Sequence, residues 1–574
     1  MTPARFLCWR ATQDAGSAPD NDPTIHGYRT VVLDGACRLL VGEGTSCLVD
    51  TERRTALVGV AFDREGRRVE RLDIPADADG ADIGRWLFAR FWGSFVVVRT
   101  TGHATTIMRD PSATMPCYVV RSNGRLFAGS HVRDVATISR YSPSIDWNFV
   151  VRHLRAIQYR DAATALAGVS ELLPGWSLDL EGTSHPSWTP WRFARRDRFM
   201  RDRSTAADAL RQTVLLVTRA WASQFRHGVI SLSGGLDSSL LAAGLAAGDL
   251  PCTAVTLLSG TASGDEQRYA GTVAAHLGIP LEVRRLLDTT IDITASDAAH
   301  LPRPTARMFW QGADRILRDV AASRDADGHF HGGGGDNVFC FLQSVAPILD
   351  RIEIEGLGRN AWATLRDICT LTGSDVGAAV MRTMRRRLSG RRSYRWAVDD
   401  SLLGARALEG QPPAFTHPWL VMPAGGLAGS AAHIALLLAI QNYLEGYRRE
   451  LTVPVIAPLL AQPLVELCLR IPSWMWCHGG RNRSIARDAF ADLLPREILA
   501  RRSKGTPDGY SMAIYEGHRA QIREFLHEGA LARERLLDLP AIDRIVTQEG
   551  PVRGHGYARI LSLCDVEAWL RSWL

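Results

Sequence analysis

The sequence predicts two units in series: a β-rich unit, then an α/β unit with a parallel sheet that passes into a mostly helical remainder. Three observations carry this. Residues up to about 190 read as short strands punctuated by turns. Beyond about 200, apolar strands alternate with helices, the mark of a parallel sheet. A serine-glycine loop then falls between one such strand and the next helix, where α/β sheets bind ligands. The length of 574 residues suits two to four domains of about 150 residues.

Taken in order, residues 93–99 form an apolar strand. Residues 117–121 and 125–128 form a hairpin across Ser122-Asn123-Gly124. The arginine-rich residues 192–203 read as a linker or a solvated helix start. A helix over 206–225 leads to a strand over 228–233, then a small-residue helix over 238–247 stopped by Gly248. A strand over 253–258, a helix over 266–277 ending at Gly278 and a strand over 281–284 complete the alternating run. Residues 431–440, with His433 among them, read as a buried helix, short of the about 18 apolar residues of a membrane span.

Composition narrows the class. The chain is 46% hydrophobic and 22% charged, which fits a globular protein and excludes a fibrous or wholly disordered one. The start, M-T-P-A-R-F-L-C-W-R, lacks the apolar core of a signal peptide. Ten cysteines without a C-x-x-C pair argue against a disulfide framework or zinc ribbon. We therefore expect a soluble, cytoplasmic protein with no membrane or nucleic-acid partner, since a net charge of +6 is small for this length.

Three motifs carry chemistry. The first is S-L-S-G-G-L-D-S-S over residues 231–239. Gly234 and Gly235 let the backbone approach an anion, the following helix start offers N–H groups to a phosphate, and Ser233, Ser238 and Ser239 add hydroxyls. Asp237 would repel phosphate unless a cation stood between them, so it implies Mg²⁺ held by oxygen ligands. No G-x-x-x-x-G-K-[ST] loop occurs. The second is H-F-H-G-G-G-G-D-N-V-F over 329–339, where four glycines keep the backbone close to a neighbour and Asp336 offers a second carboxylate. His329 and His331 read as strand alternation rather than a metal pair. The third is R-R-S-K-G-T-P over 501–507, which holds the only lysine of the chain, Lys504, in a loop after a helix. Residues 382–395 are strongly basic, either solvated surface or a docking patch for an acidic partner.

These motifs in this order resemble the asparagine synthetase superfamily over nearly the whole chain. Gly93-Ser94-Phe95, Arg109-Asp110-Pro111, Pro116-Cys117-Tyr118 and Leu126-Phe127-Ala128 are similar to its amidotransferase-like domain. The 231–239 loop, Asp265-Glu266, the G-x-G-x-D loop, Leu494-Pro495 and Arg502-x-Lys504 are similar to its synthetase domain. The resemblance implies an α+β Ntn-amidotransferase-like domain of layered antiparallel sheets over 1–195. An α/β ATP-pyrophosphatase domain follows over 200–574, with a helical insertion at about 345–430.

Departures refine it. Glutamine-using members carry a cysteine directly after the initiator; here that residue is Thr2, and Cys8 lies within a predicted strand. The acid of asparagine synthetases, or the tyrosine of β-lactam synthetases, between the glycines of the second loop is Gly333. P-F-L-D becomes P-L-L-A over 458–461. Such a chain most resembles lasso peptide cyclases. The resemblance then implies that ATP and Mg²⁺ activate an Asp or Glu side chain of a precursor peptide, which the peptide's N-terminal amine attacks. It places nucleotide against Leu232, Ser233, Gly234, Gly235, Asp237, Ser238, Ser239, Leu257 and Gly332, and metal on Asp237 and Asp336. Lys504 would act in amide formation, and Glu445, which aligns loosely with an acidic family position, is a candidate base. A leader-peptidase or leader-recognition protein would be a partner. A β-lactam synthetase, an ammonia-dependent asparagine synthetase and an inactive ATP-binding scaffold remain the alternatives.

Overall fold

The computed structural model describes residues 4–10, 25–33, 37–75, 80–102, 104–259, 266–305, 307–390, 393–410, 414–502, 508–548, 554 and 556–574. Its first unit contains strands Phe6–Arg10 (β1), Tyr28–Val31 (β2), Cys37–Gly42 (β3), Cys47–Val49 (β4), Thr55–Phe62 (β5) and Trp92–Thr101 (β6). Strands Ala104–Arg109 (β7), Tyr118–Ser122 (β8), Arg125–Gly129 (β9), Val169–Glu171 (β10), Trp176–Asp179 (β11) and Ser184–Pro186 (β12) follow. They form two antiparallel sheets, ordered β10-β8-β9-β1-β3-β2 and β12-β11-β7-β6-β5-β4.

The strand pattern explains the layering. Phe6 and Cys8 of β1 join Val58 of β5 and Val96 of β6 in one core between the sheets. Leu7 and Trp9, on the other side of β1, pack with Val135 and Val150 of the helices Val132–Ser139 and Trp147–Arg155. Across the molecule, Leu57 of β5 packs with Ile83 and Leu87 of the helix Gly80–Arg90. The predicted hairpin is present: Ser122 pairs with Arg125, and Asn123 (φ 50°) and Gly124 (φ 73°) make the two-residue turn that a right-twisted hairpin needs.

The second unit is built on a parallel sheet ordered β15-β14-β13-β16-β17. Its strands are Gly228–Ser231 (β13), Cys252–Leu258 (β14), Leu281–Arg285 (β15), Gly328–His331 (β16) and Val455–Ile456 (β17). The chain runs outward from β13 to β15 and then crosses to the other side of β13 for β16. The strand order therefore reverses between β13 and β16, and their carboxyl ends flank a ligand crevice. Between β16 and β17 lie the helices Ala346–Glu355, Arg359–Thr372, Val376–Leu388 and Ala428–Ala439. His433 is buried in the last of these, and no described helix is long and apolar enough to cross a membrane.

Some boundaries differ from expectation for local reasons. The helix expected over 206–225 spans Arg203–Ala222, because the Asp202 carboxylate caps it by accepting from the Thr205 N–H, three residues ahead of the apolar pattern. The helix expected from 238 begins at Leu236, with Gly235 as its N-cap. That places Asp237 in the first helical turn rather than in the loop.

Candidate active site

The site is assembled where the loops after β13 and β16 meet. Gly234 has φ 63°, and a Cβ there would fall 2.6 Å from the Ala270 N, so glycine is required twice over. The helix Leu236–Ala246 has no side-chain cap, which leaves its first-turn N–H groups for an anion. Ser238 and Ser239 donate to the Gly235 carbonyl at 3.2 and 2.8 Å, and Ser233 Oγ accepts from the Gly235 N–H at 3.3 Å. The serine hydroxyls thus brace the turn in this state. Leu232 is buried at the end of β13, and Leu257 is half-buried near the carboxyl end of β14.

The second loop is glycine because it presses on the first. A Cβ on Gly332 would lie 2.8 Å from the Ser238 N, and one on Gly335 would lie 2.5 Å from Asp237 Cβ and Oδ1. A Cβ on Gly333 would meet His331 Nδ1 at 2.5 Å. That nitrogen accepts the Gly333 N–H at 3.1 Å, and burial pushes the His331 ring down to about 3, so it is the neutral acceptor the contact needs. His329, on the same strand, is fully buried and within 3.2 Å of Ser231 Oγ. The two histidines alternate along β16, and no cluster of three metal-ligating side chains occurs among the described residues.

Asp237 and Asp336 are brought together by a residue the sequence reading missed. Arg483 Nη1 donates to both Asp237 oxygens at 2.8 and 2.9 Å and lies 2.5 Å from Asp336 Oδ1. Arg483 is itself buried, with φ 51° and a buried Nε that has no hydrogen-bond partner. One cationic nitrogen thus touches both carboxylates. Oxygen donors converging on a single point in this way fit a Mg²⁺ that takes its other ligands from phosphate and water.

Two further arginines tie down the segment that leads to Lys504. Arg501 donates to the Ser233 carbonyl at 3.3 Å and to Glu266 at 2.9 Å, and stacks 4.0 Å over the Tyr269 ring. Arg487 donates to the Leu499 and Arg501 carbonyls at 2.5 and 3.1 Å; burial, and then Arg483 and Arg481, lower its pKa to about 10. Lys504 lies outside the described residues, as does Thr2.

Glu445 sits elsewhere. It lines a cavity of about 180 Å³ between the β-layers and the helical part, together with Tyr118, Arg160, His300 and Glu450. Its carboxylate is ion-paired with Arg160 at 2.8 Å and accepts from the Tyr118 hydroxyl at 3.4 Å. Leu460 at the cavity's end packs where a Cβ on Gly334 would go, so the cavity abuts the second loop. Arg160 also joins Arg109 and Arg303 around buried Glu171, at 2.5 to 2.6 Å. Burial alone would raise the Glu171 carboxyl, but the three guanidiniums hold it well below the usual carboxylate range. Cys8 is buried with its sulfur 3.4 Å from that of Cys37; this contact and burial push its pKa well up, so it is no thiolate nucleophile.

The family described as asparagine synthase matches residues 208–571, more than half of the chain. No curated protein matches the sequence. Among solved structures, "Structure of the allosteric regulatory enzyme of purine biosynthesis" aligns at 9% identity and a TM-score of 0.19, covering 50% of this chain and 74% of its own. A likeness so slight carries no argument.

Proposed function

The chain belongs to the asparagine synthase family and is an ATP-dependent ligase of that kind; from this premise we propose that it closes a macrolactam in a precursor peptide. An Asp or Glu side chain of the peptide attacks the α-phosphorus of ATP and expels pyrophosphate. The peptide's N-terminal amine then attacks the acyl carbon, AMP leaves with the bonding pair, and the amine loses a proton. The N-terminal β-layers are, in this reading, an amidotransferase-like unit that supplies no ammonia.

The observation that supports a peptide over a free amino acid is Gly333. A side chain there would collide with the His331 ring, so this loop offers no acid or tyrosine to select a small substrate. Of the helices between β16 and β17, Ala428–Ala439 lies against the end of the same loop, where Asn337 Nδ2 donates to the Leu436 carbonyl at 2.8 Å.

Each part of the chain has a stated task. The uncapped helix start at Leu236 and the hydroxyls of Ser233, Ser238 and Ser239 receive the β and γ phosphates. Leu232 and Leu257 flank the adenine, and Gly332 keeps the crevice open. Asp237 and Asp336 would hold Mg²⁺, which when bound neutralises phosphate charge. Arg483, released from the two carboxylates, remains within reach of the same phosphates. Lys504 stabilises charge on the acyl oxygen and phosphate as the amide forms. Glu445 takes the amine proton once its pair with Arg160 opens.

The test is ATP–pyrophosphate exchange by the purified chain with a peptide bearing a free amine and an internal acid, against aspartate. Exchange with the peptide alone is expected, and Asp237→Ala abolishes it. Exchange with aspartate but not with the peptide would replace this reading with a small-substrate ligase.

A further inference from the structure

The helical segment between β16 and β17 carries an unpartnered face. Of fifteen large hydrophobic side chains exposed among the described residues, seven lie between Ile354 and Leu388. Three form a stripe on the helix Val376–Leu388: Met381 and Met384 are each 60% exposed and Leu388 is 86% exposed. Their spacing of three and four residues puts them on one side of the helix. Ala379 and Thr383, on the other side, are buried, and Ala379 packs with Ile348, Leu365 and Ile368. The outer stripe is therefore mostly open to solvent and stands outside that packed cluster.

Charge frames this stripe. The helix carries Arg382, Arg385, Arg386 and Arg387 and no acidic residue. One cation in the last turn already complements the helix dipole. Elsewhere the chain pairs exposed arginines readily, as in Arg67 with Asp63, Arg211 with Asp492 and Arg523 with Asp543. Arg382, Arg385 and Arg387 form no ion pair with a described residue.

We propose that this face docks an acidic amphipathic helix from a separate partner protein. The anchors at i, i+3 and i+7 match the way one helix lies along another. Methionine is unbranched and polarizable, so Met381 and Met384 can repack against a partner's leucines. The stripe is short, about 10 Å at 1.5 Å per residue, and the helix is held to the bundle through Ala379 and Thr383 on its opposite side; a membrane-lying helix exposes a longer apolar side. Apolar groups at its centre also disfavour a phosphate backbone. The proposal concerns binding alone and stands whether or not the ligase closes macrolactams.

The probe is a fluorescein-labelled peptide of three Leu-Glu-Glu-Leu-Leu-Glu-Glu heptads, titrated with the full chain and read by fluorescence anisotropy. Saturable binding that weakens in high salt is expected. Met381→Ser with Met384→Ser, and separately Arg382→Glu with Arg385→Glu and Arg387→Glu, should each weaken binding at least about tenfold. Both variants should keep the wild-type melting temperature and pyrophosphate exchange, which separates lost docking from lost folding. The same peptide with lysine for glutamate should not bind. No saturable binding of the acidic peptide, equal binding by the charge-reversed variant, or binding to phosphatidylglycerol vesicles instead of the peptide would each overturn the proposal.

Discussion

Replacing Gly335 with alanine tests whether the two loops are pressed together for function. The new Cβ would lie 2.5 Å from Asp237 Cβ and Oδ1, against an ordinary carbon contact of about 3.5–4.0 Å. Either Asp237 or the second loop must then move by about 1 Å. Overpacking of this kind costs roughly 1–3 kcal/mol of stability, which leaves a chain of this size folded. A 1 Å misplacement of a catalytic group costs about a hundredfold in rate. Gly335→Ala should therefore reduce ATP–pyrophosphate exchange by about two orders of magnitude while lowering the melting temperature modestly. Gly271 is the control. It lies inside the helix Gln267–Leu277, and nothing beyond that helix comes within 4 Å of where a Cβ would stand. Alanine there should stabilise by about 0.5–1 kcal/mol and leave exchange unchanged. Exchange by Gly335→Ala within about twofold of wild type would refute the argument that Asp237 must stay where this loop holds it.

Other outcomes follow from the same geometry. Arg483→Met should leave Asp237 and Asp336 without the cation they share, lowering stability by roughly 1–3 kcal/mol in a chelator, and millimolar Mg²⁺ should restore part of it; a melting temperature unchanged in chelator would contradict the bridge. Lys504→Arg should keep pyrophosphate exchange and lose amide formation, since a planar fork does not replace a compact ammonium; product formed at the wild-type rate would remove lysine from the mechanism. Acid should destabilise the fold. Burial holds His153, His331 and His417 at about 3 and His131 and His433 at about 4, below the about 6.5 of an unfolded chain, so the unfolded state gains protons first as pH falls. Buried Asp110 and Asp350, raised by burial to about 6, and Asp565, raised to about 7, oppose this by taking protons in the folded state, as do Asp297 and Glu450, which burial also raises; His329, lowered by burial, and Glu171, held down by its three guanidiniums, add to the acid loss. Each uncompensated histidine removes about 1.4 kcal/mol per pH unit between about 6.5 and its folded value, and a urea midpoint that rises on acidification below pH 6 would contradict the assignment.

How far the sequence could be read depended on what each element needed locally. β13 and β14 are bounded by turn residues and buried on both faces, so their apolar runs stand out from polar surroundings. The hairpin at Asn123-Gly124 is legible because that turn demands two residues at positive φ. The pairing of the N-terminal sheets was not legible: β5 is buried along its whole length and shows no alternation to tell its two faces apart. Nor could a short strand such as β17, more than a hundred residues beyond β16, be assigned to the sheet from local pattern. In the site, glycines and aspartates with constrained backbone roles were readable as motifs. Arg483 was not, because a buried bridging arginine looks the same in sequence as dozens of surface ones; its only local mark is a positive φ that sequence does not record. Glu445 was named from a loose alignment, and its placement against Arg160 depends on contacts nearly three hundred residues apart in the chain.

The central claim is that this ligase joins an acidic side chain to an amine of the same peptide. Mass spectrometry of a leaderless acidic peptide after incubation with the chain and ATP tests it directly. The expected product is lighter by one water and resistant to aminopeptidase, with AMP formed in equal amount. AMP formed with aspartate and ammonia, and an unchanged peptide mass, would contradict it.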